Sequence, residues 1–304
     1  MNISKEEIIL AYKKLKSYAY YDNSSMVLRK QISEFEDENI DNKLVEILDK
    51  INNNDIEEYY DKINVIYTPK KIEEESQKEV ITNIVSEEIV ISECTSIIDC
   101  PIELQLIGVI WTIKTSDFFE SKLPKSIFAN RIRNIKDSTI SLFEPYFNQY
   151  SEWRDNALEV IQSRLNEKQS VVYITMDIKN YYYSVDMKLN NRFQKLSDEL
   201  NEFYKDSTIN EMTEIINEVC TKYSQKVVKN KRCILPIGFI PSSVLSNWYL
   251  IDFDNKVLEA INPIYYGRYV DDIILVCNIY DTHKSKQDII NKYFVNTNVS
   301  LKPR

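Results

Sequence analysis

Between Tyr265 and Val276 the chain reads YYGRYVDDIILV, strand-favouring residues on both sides of two adjacent carboxylates, Asp271 and Asp272. Two neighbouring negative charges do not sit inside a paired apolar sheet without a heavy desolvation cost. The spacing therefore predicts a hairpin with IYYGRYV and DIILVC as its arms and the aspartates exposed at its tip.

A second strand candidate lies in VVYITMDIKNYYYSV, Val171 to Val185. Alternation through Val172, Ile174 and Met176 delivers Asp177 at or near the strand's end, just before Tyr181, Tyr182 and Tyr183. If Asp177 joins Asp271 and Asp272, three carboxylates converge and repel one another unless cations stand between them. Mg²⁺ takes oxygen ligands, commonly one or two carboxylates together with waters and substrate phosphates. Two such ions about 4 Å apart can clamp the attacking and leaving oxygens of a phosphoryl transfer. Between the two strand regions runs RCILPIGFIPSSVLSNWYL. There Pro236 and Gly238 bound a turn, and Pro241 sits at a first helical position. Val244, Leu245, Trp248 and Ile251 form the inward face, and Ser242, Ser243, Ser246 and Asn247 keep another surface low.

Charge divides the chain unevenly. The net charge is −9, yet residues 1–100 carry 12 Lys and Arg against 22 Asp and Glu, and the remainder is almost balanced. Within that remainder basic residues gather at Lys122, Lys125, Arg131, Arg133 and Lys136, and again at Lys222, Lys226, Lys229, Lys231 and Arg232. Such clusters suit phosphates or a solvated face. No apolar run approaches a membrane span, and the N-terminus lacks the pattern of a leader, so neither insertion nor export is expected and the cytoplasm is the expected location. Five scattered cysteines without a CxxC pair read as reduced structural thiols.

Ser4 and Glu7 make a capping box ahead of Ile8, Tyr12, Leu15 and Ala19, which predicts an amphipathic helix over 4–20. A second helix is expected from Lys43 to Ile51, then strands in INVIYTP and EVITNIVSEEIVI. The acidic, mainly helical N-terminal extension is drawn to about residue 100. Beyond Pro101, helical patterns recur in EWRDNALEVIQSRL, INEMTEIINEVCTKYSQKVV and PSSVLSNWYLIDFDNKVLEAI, separated by short strands, giving an α+β class.

In this order the three stretches resemble reverse transcriptases: an aspartate with an aromatic five positions on, a P-x-G turn leading into a serine-rich helix, and YVDD at Tyr269–Asp272. YYGRYVDDIILV and PIGFIPSSVLSNWYLIDFD look most like the bacterial abortive-infection and antiphage-defence branch. The resemblance runs from about Pro101 to the end. It implies right-hand polymerase fingers and palm in residues 101–304, DNA synthesis tied to resisting phage, and Mg²⁺ as two ions, with Mn²⁺ as a substitute. Nucleic acid template and primer, with deoxynucleoside triphosphates, are the implied partners, and a homo-oligomer or an accessory defence protein is compatible with it.

Carried over residue by residue, the resemblance assigns Asp177, Asp271 and Asp272 to the metals, with the Ile178 carbonyl as a further ligand. Tyr182 takes the place of the ring beneath the incoming sugar, where bulk excludes a 2′-hydroxyl. Gly238 lets backbone approach nucleotide or template, and Arg131, Arg133 or Arg154 would hold the triphosphate. Lys302 matches the lysine that assists pyrophosphate departure. Two departures stand out: Ile237 where many members carry glutamine, and only 32 residues after Asp272. The first puts template dependence in question. The second leaves no room for a thumb, so this length of chain is expected to synthesise weakly if at all. Untemplated, protein-primed nucleotidyl transfer and a binding remnant without chemistry remain the alternatives.

Overall fold

The computed structural model describes residues 1–21, 26–37, 39–72, 91–133, 141–280 and 285–295. Its first helix, α1 (Lys5–Tyr21), opens on the expected capping box. The Glu7 amide donates to Ser4 Oγ (3.2 Å) and the Ser4 amide to Glu7 Oε2 (2.8 Å). Ile8, Ala11, Leu15 and Ala19 bury one face. α2 (Met26–Phe35), α3 (Ile40–Asn52) and the short α4 (Glu57–Asp61) follow. Then the chain becomes an antiparallel hairpin, β1 (Asn64–Ile72) with β2 (Ile91–Asp99). Most of the expected strand EVITNIVSEEIVI lies outside the described residues, and β2 begins at its last position.

α5 (Ile102–Lys114) is apolar almost all round, so it has to be enclosed on every side. Its residues Leu104 to Thr112 are buried without a break, against α1 and α2 on one flank and later helices on the other. α6 (Ser116–Lys122) and α7 (Tyr146–Asn166) lead to β3 (Val171–Asp177), α8 (Tyr181–Ser184), α9 (Arg192–Tyr204) and α10 (Ser207–Val227). Trp111 of α5 donates its indole N–H to Thr213 Oγ1 of α10 (2.9 Å). The serine-rich segment is two helices, α11 (Ile240–Tyr249) and α12 (Ile251–Ile261), broken at Leu250. The hairpin β4 (Tyr265–Tyr269) and β5 (Asp272–Asn278) comes next, then α13 (Lys286–Ile290).

One apolar core runs from Ile3 through α5 and α10 to Leu250. The change at residue 100 is therefore one of charge, not of packing. β3, β5 and β4 form an antiparallel sheet in that order. Residues alternate between its faces. Ile273, Leu275 and Cys277 pack against Val257 and Ile261 of α12, while Ile274 and Val276 pack against Trp153 and Ala157 of α7. Gly267 is required where α7 crosses β4: a Cβ there would come within 2.8 Å of Trp153 Cδ1. The result is a mixed α+β fold whose carboxylates sit at one end of a small sheet. Among the described residues no helix is long and apolar enough to cross a membrane.

Candidate active site

β3 and β5 pair in a register that sets Tyr173 opposite Val276, Thr175 opposite Ile274 and Asp177 opposite Asp272. Cross-strand partners share a face, so Asp177 and Asp272 lie side by side at the sheet's end, on the face that carries α7. Asp271 stands beside them in the two-residue turn after Tyr269, and its carbonyl accepts the Ile178 amide (3.2 Å). The expected hairpin is present, but its tip is half-buried instead of exposed: both Asp271 and Asp272 are partly covered. Burial, then the neighbouring carboxylates, push Asp271 above the usual carboxylate range, and burial followed by the charge of Asp177 does the same to Asp272.

Val270, the first turn residue, has φ +57°, the left-handed region that a β-branched residue adopts only under constraint. The constraint is Arg268. Its side chain is fully buried and grips the fully buried Asp254 of α12 with two bonds of 2.8 Å, from Nε and Nη2. Nη1 donates to the Val270 carbonyl (2.8 Å) and to Asn247 Oδ1 of α11 (3.1 Å). Tyr266 completes the group with a short hydrogen bond from its hydroxyl to Asp254. Burial works against the Arg268 charge, but Asp254 outweighs it and holds the guanidinium above its usual range. Arg268 lies within the motif itself and its signal was a lone cation in an apolar strand, yet the sequence reading gave it no role.

Of the three tyrosines after Asp177, two reach α11 and the third reaches β2. Tyr181 donates to the Ser246 carbonyl (2.5 Å), and Tyr183 accepts the Ser96 amide of β2 at its hydroxyl (2.7 Å). Tyr182, half-buried, meets the hydroxyls of Ser243 and Ser246 on α11 and lies near enough to Asp271 to feel its charge. Burial is the first cause of its raised pKa.

Other candidates are placed differently. Gly238 has φ +93°, and the direction of its missing Cβ meets Ile97 of β2 at 3.1 Å. Its turn pairs with that strand through the Ile98 amide and Ile237 carbonyl (2.9 Å), so the glycine serves the approach of β2. Every nitrogen of the Arg131 side chain is engaged: Nε and Nη2 on Glu120, Nη1 on the carbonyls of Pro124 and Ile127. Arg133 pairs with Glu144 (3.3 Å), and Arg154 is exposed with Nε on its neighbour Asp155 (2.8 Å). None of these contacts joins an arginine to the carboxylates. The cation that does act on Asp271, lowering its pKa, is Lys70. Lys70 is the bulged, exposed residue between the paired positions Pro69 and Lys71 of β1. Its only sequence signal was a Lys-Lys pair inside a strand, far from the motifs. Lys302 lies outside the described residues.

Among the described residues no group of three His, Cys, Asp or Glu side chains is drawn close enough to hold an ion. The donor set at the sheet end nevertheless suits a hard divalent cation. It offers carboxylate oxygens at one sheet end, two of the groups held above their usual pKa range by burial and then by neighbouring carboxylates, whose repulsion such an ion would offset. A family model for reverse transcriptase (RNA-dependent DNA polymerase) matches residues 119–304, which takes in Asp177, the Gly238 turn and the YVDD hairpin. With more than half of its length matched, motifs included, the chain belongs to the reverse transcriptase family.

Proposed function

We propose that the chain performs metal-dependent nucleotidyl transfer, building DNA on a nucleic acid template, in bacterial defence against phage. The observation that carries the reading is the pairing of Asp177 with Asp272 across β3 and β5, with Asp271 in the adjoining turn and Tyr182 beside it. In this reading the β3–β5–β4 sheet and its helices are the palm, the elements around α5 and α10 the fingers, and residues 1–100 an acidic extension packed onto both.

Asp177, Asp271 and Asp272, with the Ile178 carbonyl, would hold two Mg²⁺ ions. Bound there, the ions supply charge for the attacking and leaving oxygens. The chain's own part is positioning. Arg268 and Asp254 fix the turn that carries Asp271. The Tyr182 ring fills the space a ribose 2′-hydroxyl would need, and Ser243 and Ser246 hold it there. Lys70 faces the polyphosphate from β1, the place assigned from sequence to an arginine. The defence role rests on the likeness of the two longest motifs to that branch.

The test is incorporation of labelled deoxynucleotides on a poly(A)–oligo(dT) substrate with Mg²⁺. Wild type should extend the primer and Asp271→Asn should not, with matching circular dichroism; equal extension by both would refute the assignment. Ile237 favours a second reading, addition without a template, and sequencing the product on a mixed template decides between the two.

A further inference from the structure

The buried run of α5, Leu104 to Thr112, contains two polar side chains besides the Trp111 indole. Thr112 keeps its hydroxyl within the helix, on the Gly108 carbonyl (2.8 Å). Gln105 reaches out of it: its Nε2 donates to the Gly238 carbonyl (2.9 Å), 133 residues along the chain. Serving a carbonyl fixes which end of the amide faces the turn, because only the nitrogen carries hydrogens. Gln105 Oε1 is thereby left buried with no hydrogen-bond partner among the described residues, in a side chain that is 1% exposed. An orphaned buried acceptor costs stability, so for packing alone an apolar side chain of the same length would serve α5 better. A local rule broken in this way points to a role outside the helix.

The turn that Gln105 holds is weakly closed from within. Its own bond, the Phe239 amide on the Pro236 carbonyl, is 3.4 Å long, and Gly238 carries φ +93°. Outside contacts set its shape. β2 holds it through the Ile98 amide and the Ile237 carbonyl (2.9 Å), and α5 holds it through Gln105. Gly108, three residues from Gln105 and so on the same face of α5, lets the helix come against the far end of the turn. A Cβ at Gly108 would lie 2.9 Å from Pro241 Cδ and 3.1 Å from the Phe239 ring. Tyr182 is gripped on both sides of this turn. Before it, the Leu235 amide meets the Tyr182 carbonyl (3.4 Å); after it, Ser243 and Ser246 meet the Tyr182 hydroxyl. The shape of the turn therefore sets the spacing between the two grips, and with it where the ring stands.

We propose that Gln105 is a positioning residue for sugar selectivity: by fixing the Gly238 turn it holds the Tyr182 ring where the ring excludes a 2′-hydroxyl. It acts only through the turn and does not itself meet the nucleotide. The proposal rests on the polymerase reading for what the ring excludes; that Gln105 fixes the turn is tested without catalysis.

Gln105→Met removes the donated bond and the orphaned oxygen together while filling similar space, so Tm should stay within about 2 °C of wild type. In hydrogen-exchange mass spectrometry, segments 178–185 and 233–242 should exchange about tenfold faster than in wild type, with α10 unchanged. On poly(A)–oligo(dT), the ratio of kcat/KM for deoxynucleotide over ribonucleotide should fall about tenfold, with kcat for the deoxynucleotide changed far less. At about pH 6.5 a fully buried carboxyl is protonated and can donate to the Gly238 carbonyl, so Gln105→Glu should restore both measurements. If Gln105→Met melts early, Gln105→Glu replaces it, with the wild-type ratio at that pH and a lower one as the pH rises and the carboxyl ionises. A folded Gln105→Met with wild-type ratio and exchange would overturn the proposal, as would a loss that Gln105→Glu does not restore, the mark of packing alone. Faster exchange with an unchanged ratio would overturn the part in selectivity. A wild type without incorporation, or Tyr182→Ala with an unchanged ratio, would instead refute the sugar reading, and the exchange rates would still decide whether Gln105 fixes the turn.

Discussion

Replacing Asp254 by Ala leaves the Arg268 guanidinium inside the protein without its counter-charge. Both side chains are fully buried, and the pair is held by two bonds of 2.8 Å. Removing one partner of such a pair costs about 3–5 kcal/mol, because the remaining charge keeps its desolvation penalty and loses its compensation. That is a large share of the roughly 5–15 kcal/mol that holds a protein together. A double replacement, Asp254→Leu with Arg268→Met, removes both charges and fills similar space, so it should recover most of the loss. The clamp on the Val270 carbonyl does not return with it. The expected pattern in urea unfolding and in incorporation kinetics is thus a split. Asp254→Ala is strongly destabilised, and the double variant is near wild type in stability but still slow, because Asp271 is carried by a turn whose left-handed residue has lost its anchor. A double variant with wild-type turnover would refute the positioning role. Asp254→Ala costing less than about 1 kcal/mol would refute the energetic argument.

If the proposed function holds and Lys70 faces the polyphosphate, Lys70→Ala should raise KM for the nucleotide far more than it lowers kcat in steady-state incorporation, since such a charge contributes chiefly to binding. Tyr182→Ala should admit ribonucleotides, measured as the ratio of kcat/KM values for the two sugars. Tyr182→Phe should keep the selectivity and lose about 1 kcal/mol of stability with the serine contacts. Asp272→Asn should raise Tm near neutral pH in chelator, because the native state lifts this carboxyl's pKa and so disfavours its charged form. The gain should fade as pH falls and the wild-type carboxyl protonates; a lower Tm at neutral pH would contradict it.

Alternation through Val172, Ile174 and Met176 was enough to place Asp177 at a strand end, and the flanks of Asp271 and Asp272 were enough to predict their hairpin. Local period and local turn chemistry produce both features, so both are written in consecutive residues. The Ser4 capping box is legible for the same reason. Lys70 and the Arg268 group are of another kind. The Lys70 charge is felt at Asp271 only because β1 and β2 pack beside α8 and α10, and Arg268 finds Asp254 and Asn247 only once β4 lies across α11 and α12. No spacing rule connects such residues. Of the arginines considered from sequence, Arg131 pairs with Glu120 and Arg133 with Glu144.

Tyr181, Tyr182 and Tyr183 hold different groups from one turn of helix, the Ser246 carbonyl, the Ser243 and Ser246 hydroxyls and the Ser96 amide, and successive side chains on a helix point about 100° apart. Inserting or deleting a single residue between Asp177 and Tyr181 would therefore turn all three rings at once. Each would be aimed at a partner that belongs to another, with hydroxyls stranded in the core. Substitutions along this segment are absorbed one at a time, but a change of length is not. Between Asp177 and Tyr183 the chain should accept new letters and reject a new count, which a library pairing point replacements with one-residue insertions and deletions would read directly as folded yield.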